Sequence, residues 1–157
     1  MKTLRKEVIA LWGIANVGKS QTIKRVYQLL RLRHANAIAD RDSEINEKDI
    51  KVILDINGIK IGIESQGDPN SRLISSLSWF VKSKCTVIIC ASRTDGKNAE
   101  AIDKLRLKGY DVVLWLKKER VRIGRTRINM VMAKRIVEEI DNILQSGNSV
   151  PKKFLGR

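Results

Sequence analysis

Apolar residues along this chain fall into two periodicities that alternate. Val8-Ile9-Ala10-Leu11-Trp12 is a short unbroken apolar run, which predicts a strand over residues 7–12. From Ser20 onward Ile23, Val26, Tyr27 and Leu30 recur at helical spacing, so a helix follows. Residues 40–49, with Asp40, Arg41, Asp42, Ser43 and Glu44, read as a loop or a short helix. Residues 51–56 and 59–64 suit strands, and Asn57-Gly58 between them tolerates the positive φ of a tight hairpin turn, predicting antiparallel neighbours.

Asp68-Pro69 is expected to open the next helix, with Asp68 as cap and Pro69 in the first helical position. Leu73, Leu77, Phe80 and Val81 would form its buried face. A strand is expected over 86–91, a helix over 98–108 closed by Gly109, a strand over 111–116, and a last helix over about 129–144 carrying Ala133, Ile136, Val137, Ile140 and Leu144. Near-continuous apolar strands alternating with helices predict an α/β fold in three layers, α/β/α, with a mostly parallel sheet and one antiparallel hairpin. Residues 1–145 would form this domain, and 146–157 a basic flexible tail.

Composition narrows the classes. The chain has 157 residues, enough for one domain with a real core, and its 43% hydrophobic and 31% charged residues argue against disorder and against a membrane protein. Lys2, Arg5 and Lys6 before the first apolar run imitate a secretory leader, but Glu7 interrupts it and cleavage would destroy the motif that follows, so a cytoplasmic location is expected. Cys85 and Cys90 flank a buried-looking run and read as structural; with the single His34 they offer no zinc pattern.

The candidate chemistry lies between the first strand and the first helix. Gly13-Ile14-Ala15-Asn16-Val17-Gly18-Lys19-Ser20 satisfies G-x-x-x-x-G-K-[ST] at every fixed position. Glycines let backbone N–H groups wrap phosphates, Lys19 brings a charge to the β- and γ-phosphates, and the Ser20 hydroxyl ligates magnesium. Gly13, Asn16, Val17, Gly18, Lys19, Ser20 and Gln21 are the expected cradle. Here the chain resembles the P-loop NTPase superfamily, in its kinase and GTPase division.

That resemblance implies an acid at the end of a neighbouring strand. Ile59-Lys60-Ile61-Gly62-Ile63-Glu64-Ser65-Gln66-Gly67 is similar to the division's strand-D-x-x-G motif with Glu for Asp, which makes Glu64 the expected partner of Ser20 in holding Mg2+. Gly67 would offer its backbone N–H to the γ-phosphate, and Gln66 could orient a water. Arg93, just past a strand, should emerge on the same sheet edge and touch phosphate or substrate, with Ser92 and Thr94 as polar sensors. Ser92-Arg93-Thr94-Asp95 only weakly echoes the guanine-reading N-K-x-D, and Leu116-Lys117-Lys118-Glu119 stands where that motif belongs, so ATP is preferred and GTP stays open.

The resemblance implies hydrolysis or γ-phosphoryl transfer, with Lys19, Glu64, Gln66 and Arg93 as the catalytic set. Small nucleotide kinases share this scale, although only Asp40-Arg41-Asp42 and the loop at 93–97 could stand for their acceptor-binding parts. The alternative is a nucleotide-switched binding module with little turnover. Its basis is charge: 31 Lys and Arg against 17 Asp and Glu give +14. Lys117, Lys118, Arg120, Arg122, Arg125, Arg127, Lys134 and Arg135 crowd into 117–135 against the one acid Glu119, where nucleic acid or an acidic protein could dock. A solvated, charge-protected edge strand is the plainer explanation of the same residues.

Overall fold

The structure is a computed structural model that describes residues 5–13, 18–93, 96–116 and 125–148. Seven strands form one sheet: β1 (Glu7–Trp12), β2 (Ile38–Ala39), β3 (Glu44–Ile45), β4 (Ile50–Ile56), β5 (Ile59–Glu64), β6 (Val87–Ser92) and β7 (Asp111–Leu116). Four helices accompany them: α1 (Lys19–Arg33), α2 (Leu73–Lys82), α3 (Lys97–Asp103), continued by a 3-10 segment over Lys104–Lys108, and α4 (Arg125–Asn148).

The strand order is β2-β4-β5-β6-β1-β7, with β3 also paired to β4. β5, β6, β1 and β7 are parallel; β4 is antiparallel to β5, and β2 and β3 are antiparallel to β4. Only β4 therefore runs against the rest. The chain is α/β with a mixed, mostly parallel sheet. The turn behind the hairpin is the expected one, since Asn57 and Gly58 both take positive φ, 54° and 89°.

Period-two alternation sends the strands' side chains into two cores. Ile9, Leu11, Ile61, Ile63, Val87 and Ile89 meet Ile23, Val26 and Leu30 of α1 and Ala133, Ile136, Val137 and Ile140 of α4. On the opposite face Val8, Ala10, Ile88 and Cys90 meet Leu73, Leu77 and Phe80 of α2 and Ile102 of α3. Phe80 reaches the sheet because Gly62 beneath it has no side chain; a Cβ there would stand 2.5 Å from the ring. Cys85 and Cys90 are buried free thiols whose burial pushes each up to about 12, which keeps them unreactive.

Three local expectations are corrected. The stretch 40–49, expected as a loop or a short helix, is a loop interrupted by the two-residue strand β3, because Glu44 and Ile45 pair with Lys51 and Ile50; β2, just before it, pairs with the free edge of β4. The helix after Pro69 begins at Leu73, since Asn70 takes φ 63° and no helix passes through that conformation. The last helix starts at Arg125 rather than near 129 and runs to Asn148, beyond the expected domain end at 145; residues 149–157 lie outside the described residues. No helix among the described residues is long and apolar enough to cross a membrane.

Candidate phosphate-binding site

The parallel strands β1, β6 and β5 end at one rim, and the expected residues gather there. Gly18 caps α1 with φ 93°, a left-handed conformation that favours glycine; a Cβ there would also lie 2.9 Å from the end of the Asn129 side chain. Lys19 follows, 7% exposed. Its Nζ donates to Gly13 O at 2.6 Å and to Ser92 O at 3.1 Å, bridging the ends of β1 and β6. An ammonium has three donors. The third has no partner among the described residues.

Burial lowers the Lys19 pKa from its ordinary value, the nearby Asp68 carboxylate pulls it back up, and the Arg93 guanidinium lowers it further. A nearly buried cation with a second cation close by is an arrangement that an anion relieves. Residues 14–17, among them the expected Asn16 and Val17, lie outside the described residues.

Ser20 and the end of β5 are brought together as expected. Ser20 Oγ donates to Ser65 O at 2.8 Å, so the hydroxyl hydrogen is spent and the oxygen lone pairs remain for a cation. Glu64 lies next to Ser65 in the chain but faces the other way, into the core under α2, and is 0% exposed. Its Oε1 accepts from Arg72 Nε at 2.8 Å and Ser76 Oγ at 2.5 Å, and its Oε2 from the Gln66 backbone N–H at 3.0 Å. Each of these competes with a metal for the carboxylate's lone pairs.

A different acid occupies the space beside Ser65. Asp49, immediately before β4, accepts from Ser65 Oγ at 2.9 Å and, through its other oxygen, from Gln66 Nε2 at 3.4 Å. Nothing in the sequence singled it out. Because β4 runs antiparallel, the residue just before it reaches the rim where the other strands finish, a consequence of pairing that no local motif encodes. Gln66 is thereby held by Asp49 and turned toward the Arg72 N–H at 3.5 Å.

Gly67 is wedged against β6: a Cβ there would lie 2.2 Å from Ala91 O. Its carbonyl and that of Asp68 accept from the buried Asn98 Nδ2 at 3.3 and 2.9 Å, a tie from α3 that the sequence did not disclose. Asp68, expected as a helix cap, turns its carboxylate to Arg93 Nε at 3.2 Å instead. Arg93 does emerge at the rim; Thr94 lies outside the described residues. Gln21 is exposed, its Oε1 accepting from Asn129 Nδ2 at 3.1 Å. No protein family matches the chain, and no curated protein or solved structure shows detectable similarity to it.

The basic segment is only partly visible. Lys117, Lys118, Arg120 and Arg122 lie outside the described residues, whereas Arg127, Lys134 and Arg135 stand exposed on α4. No group of three or more acids, cysteines or histidines that could hold a metal occurs among the described residues.

Proposed function

We propose that this chain is a P-loop protein that binds a nucleoside triphosphate, preferably ATP, with Mg2+, and hydrolyses it or transfers its γ-phosphoryl group. The observation that carries the reading is Lys19: a nearly buried ammonium, with one donor unpartnered among the described residues, set directly after a left-handed Gly18 at the joint of a central parallel strand and a helix N-terminus. Ser20 is the metal-facing hydroxyl. Lys19 and Arg93 supply positive charge where the phosphate chain develops negative charge. Magnesium, when bound, neutralises phosphate oxygens and orients them.

The acid acting with Ser20 is either Glu64 or Asp49. Asp49 is the one whose contacts lead back to Ser20 through Ser65, whereas Glu64 would first have to leave Arg72 and Ser76. Titration of fluorescent ATP and GTP analogues with and without Mg2+ tests the reading. Lys19→Ala should abolish binding, and Asp49→Asn should erase most of the magnesium dependence if Asp49 is the acid. Equal binding by Lys19→Ala overturns the proposal.

A switched binding module with little turnover has one specific observation in its favour. Gln66, Gly67, Asp68 and Arg72 are each held by a separate element, through Asp49, Asn98, Arg93 and Glu64. With its amide so occupied, Gln66 is placed to hold a conformation rather than a water. A turnover rate that is unchanged in Gln66→Ala favours this version. The basic face of α4 would then carry the partner, nucleic acid or an acidic protein, and its binding would weaken steeply with salt.

A further inference from the structure

A groove of about 590 Å³ separates α2 from α3 on the face of the sheet opposite to α1 and α4. Ile74, Leu77, Ser78 and Val81 recur three and four residues apart on α2, so they form one stripe along its wall. Ala101 and Leu105 face them from α3 and its 3-10 continuation. Leu77 and Leu105 are buried and close the floor, Val81 and Ala101 are half-buried, and Ile74 is exposed. The small side chains Ser78 and Ala101 leave the space between the two stripes unfilled.

Charge around this apolar floor is one-sided. Lys82 on α2, with Lys97, Lys104 and Lys108 on α3 and the 3-10 segment, lines the groove, and all four are exposed. None of them forms an ion pair or a side-chain hydrogen bond with a described residue. Glu100 is the one acid among the lining residues, and it too has no ion-pair partner among the described residues. From Lys97 to Lys108 the cations extend over about 18 Å. One carboxylate head group cannot match that length, whereas about 12 residues of a bound helix can.

Charge and shape also select among macromolecules. A nucleic acid would meet four cations but no aromatic ring on which to stack a base. A membrane needs apolar residues that protrude, and here Leu77 and Leu105 are recessed. A second copy of this chain, with a formal charge of +14, is repelled. Residues 149–157 carry Lys152, Lys153 and Arg157 and no acidic side chain, so they are repelled as well.

We propose that this groove is a docking site for a partner protein, which lays an acidic amphipathic helix between α2 and α3. The partner's apolar residues, recurring three or four apart, fill the space over Leu77, Ala101 and Leu105. Its Asp and Glu side chains meet Lys82 on one side and Lys97, Lys104 and Lys108 on the other. The lysines steer the encounter and select against basic segments, while burial of the apolar stripe supplies most of the affinity. Neither Lys19 nor Arg93 takes part, so docking does not depend on whether the chain receives a nucleotide.

The probe is a fluorescein-labelled peptide of about 16 residues, with Leu at the apolar positions of one helical face and Glu at most others. It is titrated with the full chain at about 150 mM salt and followed by fluorescence anisotropy. A Kd of about 10 µM is expected. A peptide of the same composition with its Leu residues dispersed around the helix should bind about tenfold more weakly, and so should one with Gln for Glu. On the chain, Lys82→Glu combined with Lys104→Glu should weaken binding about tenfold. Lys134→Glu combined with Arg135→Glu, the same charge change on α4 across the sheet, should alter it less than about twofold. Ser78→Arg adds a cation but fills the groove, so it too should weaken binding about tenfold. All five substituted positions are exposed, which spares the fold.

No binding through about 1 mM peptide, equal binding of the dispersed peptide, or Ser78→Arg binding as tightly as wild type overturns the proposal. So does a larger loss from the α4 pair than from Lys82→Glu with Lys104→Glu. Phosphatidylserine vesicles, or a DNA strand of about 20 nucleotides, that bind more tightly than the peptide and are released by Ser78→Arg would give the groove to a membrane or a nucleic acid and overturn it as well.

Discussion

Replacing Arg72 with alanine removes the charged partner of a carboxylate that solvent does not reach. Glu64 is 0% exposed, and Arg72 Nε sits 2.8 Å from its Oε1. Stripping one member from a buried ion pair costs about 3–5 kcal/mol, because the remaining charge is stranded. Here Ser76 Oγ and the Gln66 N–H stay in place, and the Arg72 side chain is itself 22% exposed, so the low end, about 3 kcal/mol, is the expectation.

Glu64→Gln removes the charge and keeps the shape. Arg72 retains Glu44 at 3.3 Å and some water, and the cost should be about 1–2 kcal/mol. With both changes no stranded charge exists, and the double variant should be more stable than Arg72→Ala alone, a coupling of about 2 kcal/mol. Equilibrium urea unfolding followed by circular dichroism gives all four corners of the cycle. An Arg72→Ala cost below about 1 kcal/mol, the value of an exposed pair, refutes the reasoning. A double variant as unstable as Arg72→Ala refutes it equally.

Glu7 predicts a pH effect of the opposite sign to most carboxylates. Burial raises it from 4.5 to about 7, a hydrogen bond and charge from Glu139 push the same way, and Arg5 opposes them. Its Oε1 has no hydrogen-bond donor among the described residues, and two carboxyl groups can pair only when one keeps its proton. The contribution is complete below pH 4.5 and fades as pH rises toward 7, by about 3 kcal/mol in all. The difference between wild-type and Glu7→Gln stability curves should carry that slope, and a flat difference would rule it out. Gly67→Ala should destabilise by about 2 kcal/mol or more, since its Cβ meets the β6 backbone; Gly58→Ala, with nothing within 4 Å, should cost about 1 kcal/mol, and thermal melts compare them. Lys19→Met should leave stability without nucleotide within about 1 kcal/mol of wild type while losing triphosphate binding; a loss above about 3 kcal/mol would make Lys19 a structural residue.

Much of the frame was legible because local signals agree with the fold. Glu7–Trp12 and Asp111–Leu116 match their apolar runs, the Asn57-Gly58 turn its dipeptide, and the buried faces of α1 and α4 their helical spacing. What escaped was decided by partners distant in sequence. The two-residue strands β2 and β3 exist only because β4 offers an edge, and the start of α2 at Leu73 follows from a turn that ties Asp68 to Arg93 and Asn98.

At the candidate site, Lys19 and Ser20 come from one contiguous motif and stand out together in the sequence. Asp49, Asn98 and Arg72 reach the same place from just before β4, from α3 and from just before α2, and polar residues at such positions give no sign of their destination. Glu64 was legible as a strand-end acid. Which face its carboxylate took was not, because that depends on the register of β5 against α2.

The reversed direction of β4 has an evolutionary corollary. The carboxylate it delivers hangs from a polar surface segment rather than from the central scaffold that fixes Lys19 and Ser20. Insertions or deletions between Ala39 and Asp49 would thus fall outside both cores, next to the one charged group that this segment brings beside Ser65. Such a layout allows the acid to be retuned, or discarded, without rebuilding the domain.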